Sequence, residues 1–126
     1  MPTILLVEDD LAVSNVLQQH LVDAGFQVIA APGTISAMTE LDRHQSVDLL
    51  LLDLVMPTDQ PDGLAFATAA RSKRPDVPVI FMTGYYGFVA KSGELPGPVL
   101  YKPLDLDVLE QAITRQLQGR QHGTAQ

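Results

Sequence analysis

Short apolar runs alternate along the chain with stretches of helical periodicity. Five runs rich in Leu, Val and Ile are predicted to be strands, because apolar runs of this length bounded by turn residues are typical of buried strands. They occupy residues 3–7, 26–30, 47–52, 77–82 and 99–101. The third run, VDLLLL, is apolar on both faces, as in the centre of a parallel sheet. The alternation predicts an α/β fold with an open, doubly wound parallel sheet, since such crossovers are right-handed.

Four of the intervening stretches have a helical pattern. Helices are predicted over residues 10–24, 34–44, 63–73 and 104–117. Asp10 is expected to cap the first helix and Gly25 to end it. The apolar positions of the first two helices are Val13, Val16, Leu17 and Leu21, then Ile35, Met38 and Leu41. Residues 84–98 are rich in Gly and Pro, which predicts a weak or irregular fourth helix between the last two strands.

Composition limits the class of protein. The 126 residues are predicted to form one domain over residues 1–118, followed by a polar C-terminal tail over 119–126. No apolar run approaches ~18 residues, and no basic region precedes the first one, so neither a membrane span nor a secretory signal is predicted. Cysteine is absent, which excludes disulfides and thiolate chemistry and indicates a cytoplasmic location. The net charge of −7 argues against direct nucleic-acid binding.

Charged and hydroxyl side chains stand where the predicted strands end. Acids at residues 8–10 follow the first strand, Asp53 the third, Thr83 the fourth, and Lys102 the fifth. Because the carboxyl ends of parallel strands share one edge, we expect these groups in one pocket. Crowded carboxylates need a hard cation, and an all-oxygen site suits Mg²⁺. With charge neutralised by the metal, an aspartate could attack phosphorus while Lys102 and Thr83 hold the transferred oxygens.

Five motifs in order carry a resemblance to the receiver domain of two-component response regulators, over about residues 3–117. They are ILLVEDD at 4–10, LLLDLVMP at 50–57, DG at 62–63, FMTG at 81–84 and YKPL at 101–104. The resemblance implies the flavodoxin-like strand order 2-1-3-4-5. It also implies a phosphoacceptor signalling domain rather than an enzyme, catalysing only its own phosphoryl transfer and slow self-dephosphorylation.

The resemblance assigns roles to particular residues. Asp53 would be the phosphoacceptor, and Mg²⁺ would be bound by Asp9, Asp53 and the backbone carbonyl of Val55. Glu8 would act on the metal through a bound water. The neighbouring Asp10 is expected to have only a structural role, as the cap of the first helix.

The remaining roles concern the phosphoryl group and the partners. Thr83 would bond a phosphoryl oxygen and move on phosphorylation, while Lys102 would pair with the phosphate, and the Lys102–Pro103 peptide would be cis. The phosphodonor would be a histidine kinase or histidine phosphotransfer protein, and a downstream protein target would receive the signal. The GYYG and KPL segments resemble receivers of hybrid kinases and some stand-alone regulators.

Three departures from the family pattern affect the output. The loop after Pro57 is about two residues longer than usual and is interpreted as a tolerated surface insertion; the alternative is that Asp59 or Asp62 alters metal access or partner docking. Val99 replaces the usual aromatic residue, and Tyr101, which should face the same side of the strand, is the candidate substitute. The interval from Thr83 to Lys102 is also about three residues shorter than usual, which is consistent with a weak fourth helix.

Other functional classes fit less well. An aspartyl-phosphate phosphatase needs an acid two residues after its nucleophile, where this chain has Val55. A flavin carrier needs a phosphate-binding loop after the first strand, where acids would repel phosphate. A degenerate receiver that only docks partners is the remaining alternative, although this chain keeps both Asp53 and Lys102. Because neither Val55 nor Tyr85 can orient water well, slow self-dephosphorylation is expected.

Overall fold

A computed structural model describes residues 1–56, 61–84 and 95–125, with the backbone alone for 121–125. Within these residues five parallel strands form one sheet in the order β2-β1-β3-β4-β5. The strands are β1 Thr3–Val7, β2 Gln27–Ala31, β3 Leu49–Asp53, β4 Val79–Thr83 and β5 Val99–Tyr101. The helices are α1 Leu11–Asp23, α2 Thr34–Arg43, α3 Gly63–Lys73 and α4 Leu106–Ala125. The predicted fold class and strand order are confirmed, and none of these helices is long and apolar enough to cross a bilayer.

The last helix differs most from its predicted bounds. It runs to Ala125 rather than to residue 117. Arg120 on this extension donates from Nη1 to the Asp48 carbonyl at 3.1 Å, a tertiary contact that helical periodicity does not reveal. The division between a domain over 1–118 and a tail stays a prediction. The predicted irregular helix after β4 falls largely on residues 85–94, which lie outside the described residues.

Alternation along the strands gives the sheet two apolar faces. One face packs against α2 and α3, and the other packs against α1 and α4. On β3, Leu50 and Leu52 point to the first face, whereas Leu49 and Leu51 point to the second. Each is fully buried, as expected for the centre of a doubly covered parallel sheet.

Two predicted core positions are wrong. Val16 of α1 is 57% exposed and Ile35 of α2 is 62% exposed. Each helix buries a narrow stripe at spacings of three and four residues, which in α1 consists of Ser14, Leu17 and Leu21. A small polar residue therefore takes the buried position that hydrophobicity assigned to Val16, because the helix lies close to the sheet there.

Aspartates cap three helices at one edge of the sheet. Asp10, Asp62 and Asp105 precede α1, α3 and α4, and each accepts hydrogen bonds from N–H groups of the first turn, at 2.8–3.2 Å. This confirms the predicted cap at Asp10. Gly25 follows α1 with φ of 98°, the left-handed conformation expected of a glycine after a helix.

Gly63 starts α3 against the backbone that follows β3. Its N–H donates to the Leu54 carbonyl at 3.0 Å. A Cβ added at this position would overlap the Asp53 carbonyl oxygen. The glycine of the DG motif is therefore required by close approach of two backbone segments.

We expect Gly63→Ala to lower the free energy of unfolding by about 1–3 kcal/mol, the usual cost of overpacking a closed site. Urea denaturation followed by circular dichroism measures the change. Gly119→Ala is the matched control, because a Cβ there meets open space within α4. That variant should gain about 0.5–1 kcal/mol. Equal stability of Gly63→Ala and the wild type would contradict the close-approach explanation.

Candidate functional site

The strand register brings the predicted site residues to one edge of the sheet. Val7 pairs with Leu52 across β1 and β3, and Thr83 pairs with Tyr101 across β4 and β5. Glu8 and Asp9 therefore emerge beside Asp53, while Lys102 emerges beside Thr83. The structure therefore places these residues side by side at the ends of the strands.

Three carboxylates cluster at this edge. Glu8, Asp9 and Asp53 each offer one oxygen, and these oxygens lie within 4.8 Å of one another. Glu8 and Asp53 are buried at 1% and 6% exposure, whereas Asp9 is exposed. Buried like charges at this separation repel each other unless a cation neutralises them. The donor set consists of hard oxygens and includes one exposed ligand, so these residues fit Mg²⁺ with part of its water shell retained.

Lys102 supplies positive charge to the same cluster. Its Nζ donates to Glu8 Oε1 at 2.5 Å and to Asp53 Oδ2 at 2.9 Å. The side chain of Glu8 is fully buried, and that of Lys102 is 24% exposed. The sequence does not predict the direct bond between Glu8 and Lys102, because the two residues are 94 positions apart. Glu8 was expected to bind a metal-bound water, and Lys102 was expected to pair with the phosphate.

Burial and pairing shift the protonation of this group. The pKa of Glu8 is raised from 4.5 to about 7, chiefly by burial and also by the nearby charge of Asp53, against the lowering effect of the hydrogen bonds from Lys102 and the Asp10 N–H and of the Lys102 charge. For Lys102 burial alone would lower the pKa, but hydrogen bonds to Asp53 and Glu8 outweigh it, so the net pKa is raised. Lys102 therefore stays charged at neutral pH, while Glu8 titrates near it.

Asp53 is oriented from both sides. Its Oδ2 accepts from Lys102, and its Oδ1 accepts from the Val55 N–H at 3.1 Å. Val55 itself is 48% exposed, so the loop leaves the sheet directly after the carboxylate. The two bonds fix the carboxylate plane at the edge of the sheet, where it faces Glu8 and Asp9.

Thr83 is placed beside the cluster by the backbone. It is fully buried at the end of β4, and its carbonyl accepts from the Lys102 N–H at 2.8 Å. The Lys102–Pro103 peptide is cis, as the resemblance implied. Val99 packs against the core on the α2 and α3 side, and Tyr101 is half-buried. Whether Tyr101 takes the role of the usual aromatic residue stays a prediction.

One contact near the site was missed from the sequence. The buried Thr34 at the start of α2 donates from Oγ1 to the Pro61 carbonyl at 2.8 Å. This bond holds the far end of the loop that follows β3 against α2. A lone threonine at a helix start carries no sequence signal for such a contact. Residues 57–60, with Asp59, and Tyr85 lie outside the described residues, so the expectations for them are untested.

Comparison with known proteins identifies a family. The model of the response regulator receiver domain matches residues 4–114. The response regulator receiver protein CpdR of Brucella abortus is 35% identical over 121 residues, covering 93% of this chain and 98% of CpdR. The transcriptional regulatory protein ZraR of Escherichia coli is 33% identical over 119 residues, covering 90% of this chain. The chain spans about a quarter of the length of ZraR, 26%.

A solved structure supports the fold. The response regulator TrrA of Thermotoga maritima, in complex with Mg²⁺ and BeF, has a TM-score of 0.82 and 24% sequence identity, covering 92% of this chain and 99% of TrrA.

Without Mg²⁺, we expect the free energy of unfolding to fall as the pH rises from about 4.5 to about 7. In this window the unfolded Glu8 loses its proton while the folded Glu8, with a pKa of about 7, still binds one, so folding is favoured at the lower pH. Urea denaturation in EDTA across this window measures the slope.

Glu8→Gln should reduce that slope, because it removes the titrating group and leaves its shape. Asp23→Asn, an exposed acid outside the cluster, is the matched control and should keep the wild-type slope. An unchanged slope in Glu8→Gln would show that the buried carboxyl does not titrate in this range.

Proposed function

Because this chain belongs to the response regulator receiver domain family, we propose that Asp53 accepts a phosphoryl group from a histidine kinase or histidine phosphotransfer protein. Receiver domains are signalling domains of two-component systems and accept phosphoryl groups from histidine kinases. The observation that supports this assignment is the buried Asp53 carboxylate, which bonds Lys102 at 2.9 Å and shares the carboxylate cluster with Glu8 and Asp9.

In the proposed reaction a carboxylate oxygen of Asp53 attacks the phosphorus of a phosphohistidine. A bond forms between that oxygen and phosphorus, and the bond between phosphorus and the histidine nitrogen breaks, leaving the electron pair on the imidazole. Lys102 bonds an oxygen of the incoming group and compensates its charge. The Thr83 hydroxyl, at the end of the neighbouring strand, donates to a second oxygen. The Val55 N–H keeps the Asp53 carboxylate in its attacking orientation.

Receiver domains bind Mg²⁺ at their acidic pocket. In this chain Asp9 and Asp53 would bind it directly with the Val55 carbonyl, and Glu8 would act through a water. The metal, when bound, neutralises charge on the carboxylates and the phosphoryl oxygens. The complex of TrrA with Mg²⁺ and BeF supports this assignment by analogy of fold. Bound metal would also relieve the repulsion between Glu8 and Asp53.

The phosphorylated domain would signal to a downstream protein through a change in its surface. No reaction beyond its own phosphoryl transfer and slow hydrolysis is proposed. Stand-alone action and a place within a longer protein are both compatible with the relatives, since CpdR is covered almost completely and ZraR by about a quarter. The alternative of a docking module without phosphorylation gains no support, because Asp53, Lys102 and the acidic cluster all stand together.

Incubation with acetyl phosphate and Mg²⁺ should add one phosphoryl group to the protein. Intact-mass spectrometry measures the gain. Asp53→Asn should abolish the gain in mass, because an amide oxygen is a poor nucleophile and because the substitution removes a carboxylate ligand of the metal. Asp48→Asn is the matched control, since Asp48 precedes β3 at the opposite edge of the sheet. A gain that survives Asp53→Asn, or no gain in the wild type, would support the docking module instead.

Once formed, the phosphoryl group should persist for minutes or longer in the purified protein. The side chain of Val55 has no polar group that could orient an attacking water. We expect Val55→Asn to shorten the lifetime of the phosphoryl group, because it supplies a side-chain amide. Loss of the added mass over time measures both rates. Val108→Asn, at another exposed apolar position, is the control. A wild-type half-life of seconds is incompatible with this expectation.

A further inference from the structure

Positive charge is concentrated at the edge opposite the phosphoacceptor. The chain has eight Lys and Arg residues. Lys102 lies in the acidic cluster, and Lys91 lies outside the described residues. The other six line clefts beside the starts of the strands, and they are Arg43, Arg71, Lys73, Arg74, Arg115 and Arg120. Acids share this edge, among them Asp42, Asp48 and Asp76, and the positive charge is in excess around one cleft, where Arg71, Arg115 and Arg120 face Asp76.

Two clefts on this surface join into one groove. Their volumes are about 300 and about 230 Å³. Asp76, Val77 and Arg120 border both clefts, so the two clefts adjoin along these residues. We call this feature the arginine groove; the cations that line it are Arg71, Lys73, Arg74, Arg115 and Arg120.

Two of these cations are already used within the fold. Arg74 donates from Nη2 to the Leu41 and His44 carbonyls, at 2.7 and 2.6 Å, which satisfies the end of α2. Lys73 pairs with Asp42 at 2.7 Å. Cations near helix ends often serve this structural purpose. Neither residue is therefore counted as a recognition group.

The other three arginines keep unused donors or charge. Arg71 donates only to the neutral Pro96 and Pro75 carbonyls, at 3.4 and 3.3 Å. Arg120 pairs with Asp48 at 3.4 Å through Nη1 alone. Arg115 is exposed and forms no hydrogen bond or ion pair with any residue that the structure describes.

These three guanidinium groups surround the smaller cleft. Arg71 reaches it from α3, while Arg115 and Arg120 reach it from α4. Asp76 is the acidic residue among the described residues that line this cleft. Arg115 and Arg120 lie beyond residues 4–114, which the family model matches.

We propose that the arginine groove binds an extended acidic segment of a partner protein. Guanidinium groups bind carboxylates through paired, charge-assisted hydrogen bonds. The two clefts are at or below the lower limit of the usual volume of a small-molecule pocket, roughly 300–1,000 Å³. Each can take an acidic side chain, and two adjoining clefts suit neighbouring residues of an extended chain. The net charge of −7 disfavours a longer nucleic acid, whose phosphates would meet the acidic edge.

Binding of a fluorescently labelled glutamate-rich peptide to the full chain, followed by anisotropy at low and moderate salt, tests this proposal. We expect saturable binding that weakens with salt, and no binding of the glutamine-substituted peptide. Arg115→Gln and Arg71→Gln should each weaken binding about tenfold, the loss of one charge-assisted contact. Arg43→Gln, at the same edge but lining neither of the two clefts, is the matched control and should bind as the wild type does.

Three results would overturn the proposal. Equal binding by Arg115→Gln and Arg43→Gln would mean that net charge, not the groove, attracts the peptide. Binding of a single-stranded oligonucleotide in place of the peptide would assign the surface to nucleic acid. Self-association of the chain in sedimentation velocity, abolished by Arg115→Gln, would assign the groove to the acidic edge of a second copy.

Discussion

The site depends on the ion pairs formed by the ammonium group of Lys102. It bonds both Glu8 and Asp53, two buried acids from different strands that would otherwise repel each other across a medium of low polarity. Removing one partner from such a buried group leaves an uncompensated charge, which is far more costly than losing an exposed ion pair. The same contact keeps a positive charge next to the Asp53 carboxylate, so one contact both stabilises this edge and sets the charge around the proposed phosphoacceptor.

Backbone contacts around this cluster fix the positions of Lys102, of Asp53 and of the chain that follows Asp53. The Lys102 N–H bonds the Thr83 carbonyl, which fixes the base of the lysine to β4. Gly63 allows α3 to begin directly against the Asp53 carbonyl. Thr34 holds the loop that follows Asp53 through the Pro61 carbonyl. A shift of Asp53 would therefore be transmitted to α3, which begins against its carbonyl.

Much of the site could be predicted from the sequence because strand ends in a parallel sheet share an edge. The ends of the apolar runs predict Asp53, Lys102 and the acids after β1 as site residues. The five spaced motifs predict the order of the strands through the family resemblance. Side-chain pairings were less accessible. The bond between Glu8 and Lys102 depends on which side-chain rotamers the packed edge permits. Those rotamers cannot be predicted from the sequence pattern.

Helix details show a similar limit. Periodicity placed Val16 and Ile35 in the core, whereas the close packing of helices on the sheet buries Ser14 and Thr34 instead. The end of α4 was predicted too early because Arg120 contacts residues that precede β3. In both cases tertiary contacts override a local pattern, and such contacts have no signature within a window of neighbouring residues.

Acidic residues predominate at one edge of the sheet, whereas at the opposite edge acids such as Asp42, Asp48 and Asp76 lie among the arginines, so the molecule has an electrical polarity. The described acids at the edge that bears Asp53 are Asp53 itself, Glu8, Asp9, Asp10, Asp62, Asp105 and Asp107, against the single described lysine there. Helix starts at that edge offset only about half a charge each, so the edge stays negative. An approaching charged surface would turn the domain before contact, presenting the carboxylates to cationic neighbours and the opposite end to anionic ones. Collisions would then be pre-oriented, an advantage in rate that rising ionic strength removes.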